Sequence, residues 1–310
     1  MKVCFIGGCG HQWQALKYLR TRKDVLLCGF APASAHEGFT ASISSDLEFY
    51  PDHISMLEHI KPDLAIISPV FAQTGSIIIE CARRGIDVFA EKPVASSLEE
   101  LELVEKAVRD SGIRFCAMHY LRYDKAFYHG ARAVKAGEIG DIILMNAQKS
   151  YKYGKRPSWY ADRSLYGGTI PWVGIHAFDW IYHFSEKKVL SVQAQCIGAD
   201  PEMAAICKLD MEDGVMASVS IDYYRPEGAP THGDDRIRCV GTKGVLEVRD
   251  GRITLINKEG VREIAADGCP ELLEEFLENR CPISPEEIFY ITRISLCARM
   301  SADEGRCVYL

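Results

Sequence analysis

The chain has 310 residues, 47% of them hydrophobic, which is enough to bury a large core and to fill two domains. Its 36 Lys and Arg against 43 Asp and Glu leave a formal net charge of -7, which argues against nucleic acid as a partner and for a small molecule instead. No apolar stretch approaches a membrane span and the first strand-like run begins at Lys2, so the expectation is a cytoplasmic protein with no signal peptide and no membrane partner.

The first 120 residues alternate strand and helix signals. Val3 to Ile6, Val25 to Phe30, Leu64 to Ser68, Asp87 to Ala90 and Arg114 to Met118 are short apolar runs of the kind buried on both faces of a parallel sheet. Between them, TGSIIIECARRG reads as a helix stopping at Gly85, and SSLEELELVEKAVRDSG as one with Ser97 and Glu100 at capping-box spacing and Gly112 past its end. The pattern predicts an N-terminal doubly wound Rossmann domain over residues 1–120. YDKAFYHGARAVKAGEIG then reads as a helix leading out of it, and strands follow: Ile142 to Lys149, Val189 to Ile197, Ala204 to Met211, Val215 to Tyr223, Ile237 to Val240, Val245 to Val248 and Ile253 to Ile256. Turns such as EDGV, GTKG and RDGR separate several of them. Residues 121–310 are therefore expected to form a C-terminal α/β domain with an open, mostly antiparallel sheet, closed by helices around Glu271 to Glu278 and Pro285 to Ser301 that can pack back on the first domain. The 12 cysteines include no C-x-x-C pair, and several lie in apolar runs, so they read as buried free thiols.

Three segments carry chemistry. The loop IGGCGHQWQAL follows a strand and opens a helix, the context of a phosphate-cradling turn, with Gly8 and Gly10 supplying G-x-G and Trp13 standing where a third glycine would complete the fingerprint. AEKPVASS sets Lys92 before Pro93 at a strand end, and YGGTIPWVGIHAFDW sets His176 after a glycine pair. A fixed lysine beside a cofactor can stabilise negative charge on a reacting oxygen, and a histidine can exchange the proton that alcohol oxidation releases. Asp179 shares a helical face with His176 and can orient the imidazole or bind a neighbouring basic group. Other readings stay open: a solvated turn at Glu91-Lys92-Pro93, a buried hydrogen-bonded His176–Asp179 pair, or metal ligation by His176, Asp179 and His183, for which no further ligand cluster is evident, so no metal is expected. In QKSYKYGKRPSWYADR, Lys149, Lys152, Lys155, Arg156 and Arg163 face only Asp162, with Tyr151, Tyr153, Trp159 and Tyr160 interleaved. It is either a solvated basic loop or a substrate lid whose aromatics stack on a sugar ring and whose cations meet an anionic group.

On the segments DVFAEKPVASSLEE, LRYDKAFYHGARAVKAGEIGDI and GGTIPWVGIHAFDW, the chain resembles the Gfo/Idh/MocA family of glucose-fructose oxidoreductase and inositol dehydrogenase-like proteins, from Lys2 to the closing SADEGRCVYL. The resemblance implies NAD- or NADP-dependent oxidation or reduction at a CH-OH group of a sugar, polyol or sugar acid, with Lys92 and His176 catalytic. Taken with the loop and segment readings above, the candidate cofactor contacts are Gly7, Gly8, Cys9, Gly10, His11, Gln12, Ser68, Pro69, Gln73, Glu91 and Lys92, and the candidate substrate contacts Lys92, Arg122, Tyr151, Arg156, Trp159, Trp172, His176 and Asp179. It further implies a homo-oligomer, dimer or tetramer, assembled through the open sheet. The sequence departs from the family pattern at Trp172, where an aspartate usually precedes the histidine, and at Gln73, where a histidine is usual. In LLCGFAPASAHEG no carboxylate is placed for the adenosine ribose and no arginine for a 2′-phosphate, so discrimination between NAD and NADP should be modest. Trp172 is read as packing against a sugar face or the nicotinamide. Two alternatives to a dehydrogenase are carried forward: a redox-neutral glycosidase or lyase using bound NAD, and a non-catalytic dinucleotide-binding regulatory protein.

Overall fold

Strands β1 (Lys2–Ile6), β2 (Leu26–Ala31), β3 (Glu48–Phe49), β4 (Leu64–Ile67), β5 (Asp87–Ala90) and β6 (Phe115–Ala117) lie in the order β3-β2-β1-β4-β5-β6, parallel at every pairing. The computed structural model describes residues 1–33, 47–198, 201–280 and 283–310, which divide into two units. This sheet belongs to the first, made of Met1–Met118, Asp162–Gly167 and Leu272–Thr292. Val3 to Ile6 and Leu64 to Ile67 are wholly buried, as runs without polar alternation must be in a sheet covered on both faces. Helices Gln12–Leu19, His53–Ile60, Thr74–Arg83 and Leu98–Ser111 connect the strands. The last starts as its sequence predicts, Ser97 Oγ accepting from Glu100 N at 3.1 Å, and ends on Gly112 in the left-handed region at φ 64°. The Glu100 carboxylate reaches past the cap residue, taking the Ser96 N–H at 2.7 Å and its hydroxyl at 2.8 Å.

The second unit, His119–Ala161, Gly168–Glu271 and Arg293–Leu310, holds a nine-stranded sheet. Its strands are β7 (Ile142–Tyr151), β8 (Val189–Ile197), β9 (Ala204–Met211), β10 (Met216–Asp222), β11 (Gly233–Gly241), β12 (Gly244–Arg249), β13 (Arg252–Asn257), β14 (Gly260–Ile264) and β15 (Val308–Tyr309). They run in the order β14-β13-β12-β11-β7-β10-β9-β8-β15, antiparallel except where β7 meets β10. The helix expected from Tyr123 to Gly140 is α-helical over Lys125–Lys135, because Asp124 caps its start and Gly137 and Gly140 take positive φ beyond its end. Helix Ile175–Ser185 packs on that helix and on β7, with Trp180 stacked on Phe127 at 4.0 Å between ring centroids. Its sequence is apolar nearly all round, and Ile175 to Ile181 are all buried, so His176 and Asp179 go into the interior with it. The turn leading into it, Ile170–Gly174, is a π-helix carrying Pro171 near its start. Helix Pro285–Glu304 closes the chain before β15.

Candidate active site

Because β1, β4 and β5 are neighbours in the first unit, the segments leaving their carboxyl ends, Gly7–Gln12, Ser68–Gln73 and Glu91–Lys92, come together at the edge where doubly wound sheets bind ligands. Backbone bonds tie them: Cys9 N donates to Ser68 O at 2.8 Å and Glu91 N to Ile67 O at 2.7 Å. The Glu91 side chain does the rest. Its carboxylate, 0% exposed, accepts from His11 N at 2.6 Å and Lys92 N at 3.1 Å, and lies 3.0 Å from His11 Nδ1. Burial opposes charge on this carboxyl, but His11, with help from Lys92, outweighs it and holds Glu91 below its ordinary range. Gly10 is required by the same carboxylate, since a Cβ there would sit 2.0 Å from Glu91 Oε2 and 2.6 Å from Ser68 Oγ. Gly7 takes φ +79° with its α-carbon against Pro69, where a Cβ would meet backbone at 2.5 Å. Gln12 Oε1 accepts from Gly10 N at 3.0 Å, so the turn is held from inside as well. Glu91 is 0% and Lys92 2% exposed, which removes the reading of Glu91-Lys92-Pro93 as a solvated turn. Ser68 Oγ and Gln73 Oε1 are buried and have no protein partner.

The strand β2 ends at Ala31, and part of the segment read for a ribose-binding carboxylate, residues 34–38, lies outside the described residues.

In the second unit, His176 is 2% exposed and Trp172 is buried, its backbone N–H donating to Gly168 O at 3.1 Å. Asp179 pairs with Arg122. Its Oδ1 accepts from Arg122 Nη2 at 2.6 Å and Nε at 3.0 Å, and its Oδ2 lies 3.6 Å from His119 Nδ1. Burial raises the pKa of Asp179, but Arg122, followed by His119, pulls it far below the usual carboxylate range. Arg122, a predicted substrate contact, thus has two of its donors on Asp179. His119, absent from the predicted set, stands edge-on to His176 with centroids 6.4 Å apart and rings at 81°. No motif announces it; the only sequence signal is a polar residue directly after the β6 run, at a strand's carboxyl end. His183 is kept neutral at ordinary pH, burial first and then Arg122 and Lys135 pushing its pKa down to about 3. Among the described residues no group of three or more His, Cys, Asp or Glu is placed to hold a metal ion.

The basic segment is organised differently from its sequence reading. Lys149 and Tyr151 belong to β7, and Lys149 is buried against Asp235, its register partner on β11, with Nζ 4.4 Å from the Tyr151 ring centroid. Desolvation outweighs Asp235 and pushes Lys149 down to about 8. Asp162, the anion expected to face these cations, instead caps the short helix Arg163–Tyr166. Lys152 Nζ donates to the carbonyls of Glu227 and Ala229 at 2.7 and 2.6 Å, and Arg156 lies over Tyr160 and Tyr223, 5.2 and 5.6 Å from their centroids. Trp159 is buried with its ring 4.4 Å from that of Tyr160, and Tyr151 stacks on His232 at 4.9 Å. The segment is therefore packed in part, at Lys149, Trp159 and Tyr160, and open to solvent at Gly154, Lys155, Pro157 and Ser158.

Residues 1–119 match the oxidoreductase family with an NAD-binding Rossmann fold, and residues 129–247 match the GFO/IDH/MocA C-terminal domain. An oxidoreductase of known structure from Thermotoga maritima is 40% identical, superposes with a TM-score of 0.95 and is covered in full, as is this chain. The scyllo-inositol 2-dehydrogenase (NAD+) of Bacillus subtilis is 26% identical over 242 residues, 74% of this chain and 68% of that protein. The 2,7-anhydro-N-acetylneuraminate hydratase of Escherichia coli is 29% identical over 108 residues, 34% of this chain and 29% of that protein. With the glycine turn, Lys92 and His176 built as described and both portions of the chain matched, this protein belongs to the GFO/IDH/MocA family of NAD-binding oxidoreductases.

Proposed function

We propose that this oxidoreductase moves hydride between a nicotinamide dinucleotide and a hydroxyl-bearing carbon of a polyol or sugar, with Lys92 and His176 as its catalytic residues. The observation that carries the reading is Glu91: one buried carboxylate fastens the glycine turn to the backbone of Lys92, so the residue that meets the reacting oxygen is held to the loop that would hold the pyrophosphate. The residues fit a dinucleotide. Ser68 Oγ and Gln73 Oε1 are buried polar atoms at the sheet edge with no protein partner, and Gly7 to Gln12 present backbone without side-chain bulk at the glycines. Bound there, the cofactor supplies the hydride acceptor or donor. Lys92 donates a hydrogen bond to the reacting oxygen and stabilises its negative charge, and His176 takes the hydroxyl proton on oxidation or returns it on reduction.

The scyllo-inositol dehydrogenase relative supports a ring polyol as substrate class. An anionic substituent finds support in Arg156 and the exposed Lys155, since Lys149 and Lys152 are engaged with Asp235 and with carbonyls. A homo-oligomer is supported by Ile197, Ile206 and Met216, exposed on one face of the nine-stranded sheet. Cys4, Cys81, Cys207, Cys239 and Cys297 are buried thiols, which supports a reducing, cytoplasmic setting. No helix among the described residues is long and apolar enough to cross a membrane.

The test is a polyol and sugar panel assayed with NAD and with NADP, following cofactor reduction and product formation separately. One reduced cofactor per product establishes the dehydrogenase. Product without net reduction would replace it with redox-neutral elimination, the reading that the hydratase relative favours, and cofactor binding without turnover would leave a regulatory protein.

A further inference from the structure

Resting on the dehydrogenase reading, we propose that His119 is the second imidazole of the acid-base site: it receives, through a bridging oxygen, the proton His176 takes from the substrate, and holds it as an imidazolium facing Asp179.

The need for a second group arises at position 172. A carboxylate there could share the proton on His176, but the indole of Trp172 donates only and accepts none. The buried carboxylate that this chain does carry on the His176 helix is Asp179, which turns to Arg122 and His119. His119 is 0% exposed, and neither of its ring nitrogens has a hydrogen-bond partner in the protein; nor has Asp179 Oδ2. His119 Nδ1 and Asp179 Oδ2 face each other just beyond hydrogen-bond distance, whereas His119 Nε2 has no partner among the described residues, and a buried unsatisfied polar atom costs about 1–3 kcal/mol, a burden that structures carry where a ligand or ordered oxygen meets it. The ring nitrogens of His119 are inequivalent: Nδ1 faces Asp179 at 3.6 Å, and Nε2, across the ring, is available to another oxygen. Edge-on rings with centroids 6.4 Å apart lie within the span that one oxygen accepting and donating hydrogen bonds of about 2.8 Å can bridge.

The step balances as proton movement alone. The substrate O–H bond breaks and a proton joins His176; it then passes to the bridging oxygen while that oxygen releases its own proton to His119 Nε2, so His176 returns to neutral. The electron pair of the C–H bond would go as hydride to a nicotinamide that the Gly7–Gln12 turn would hold, which leaves only the proton to the histidines. Among the described residues, His119 faces Asp179 and His176 directly, Arg122 sits on the other oxygen of Asp179, and His183 is coupled to Arg122 and Asp179. Arg122 offsets one charge of the cluster, so the incoming proton meets an Asp179 that already has one cation, which keeps the transfer reversible in both reaction directions.

Two variants separate relay from support. His119→Asn places an amide near Nδ1 and preserves the contact with Asp179; His119→Gln reaches toward Nε2; neither titrates. Nitrogen-15 NMR of labelled histidines in the substrate-free protein is expected to show His119 and His176 titrating in linked steps, and His176 following a single curve displaced by about one pH unit in both variants. On the substrate that the panel identifies, both should lower kcat about 100-fold with KM changed less than about threefold, and should move a limb of the pH profile. Independent titration of the two rings in the wild-type protein would overturn the proposal, whether or not the variants fold, as would wild-type turnover in His119→Asn, which would reduce His119 to a prop for Asp179. Failure of the panel to find any substrate removes the dehydrogenase reading but leaves the NMR result to decide the linkage.

Discussion

Replacing Glu91 by glutamine tests whether one carboxylate fastens the glycine turn to Lys92. The carboxylate serves three donors, the backbone N–H groups of His11 and Lys92 and the imidazole of His11, on two oxygens. An amide keeps one oxygen and puts an NH2 where the other was, so one backbone N–H loses its acceptor and faces a donor. An unsatisfied buried donor costs about 1–3 kcal/mol, and losing the charge-assisted strength of the remaining bonds adds about 1 kcal/mol, giving about 2–4 kcal/mol at neutral pH. Urea unfolding followed by circular dichroism measures it. The pH dependence has a definite sign. The folded protein holds Glu91 below its ordinary pKa, while the unfolded chain sets it near about 4.3, so the carboxylate's contribution is complete above that value and fades as pH falls through the folded-state value. The gap between wild type and Glu91→Gln should therefore narrow in acid. A difference under about 0.5 kcal/mol at pH 7, or a gap that persists undiminished below the folded-state pKa, would refute the argument. Dinucleotide affinity should fall alongside stability, because the turn and Lys92 lose their common anchor.

Further outcomes follow from the same geometry. Lys92→Met and His176→Ala should each reduce kcat by about 10² to 10⁴ while dinucleotide affinity stays within a few-fold, measured by turnover and calorimetric titration; full turnover in the lysine variant would remove Lys92 from the chemistry. Arg122→Met should cost about 3–5 kcal/mol by leaving Asp179 buried and uncompensated, and adding Asp179→Leu should restore much of it; a double variant less stable than the single one would show that the pair is not the dominant interaction there.

How far the sequence could be read depended on whether a feature was local. The parallel strands announced themselves because burial on both faces leaves unbroken apolar runs, and β8 and β9 have the bounds that their alternation predicts. The two-residue strands β3 and β15 are too short for any period, and β14, GVREI, is exposed along most of its length and has no buried face to mark. β11 begins four residues before its apolar part, since GDDR pairs with β7 through polar residues and the Lys149–Asp235 ion pair rather than through apolar alternation. Lys92, His176 and the glycine turn were legible as motifs. Their partners were not: His11 and Glu91 are 80 positions apart, Arg122 and Asp179 57, and only the fold brings such pairs together.

Asp179 shows why spacing names a residue but not its bond. Three positions beyond His176 on one helix, it shares that residue's face, and the sequence leaves open whether it orients the imidazole or takes a basic neighbour. Helical geometry settles the face and burial then decides the partner. A carboxylate brought fully inside must recover the solvation it gives up, and a guanidinium offers two charge-assisted bonds where an imidazole offers one, so Asp179 goes to Arg122. That choice leaves Oδ2 toward His119. The first unit uses the same device with another outcome: Glu91 is also buried, but its cationic neighbour is an imidazole on the glycine turn, and its remaining capacity goes to backbone N–H groups, so it fixes a loop rather than a side-chain cluster. In both places the buried carboxylate fixes a piece of its own surroundings: Glu91 holds the backbone of Lys92 in one unit, and Asp179 ties the helix that carries His176 to Arg122 in the other.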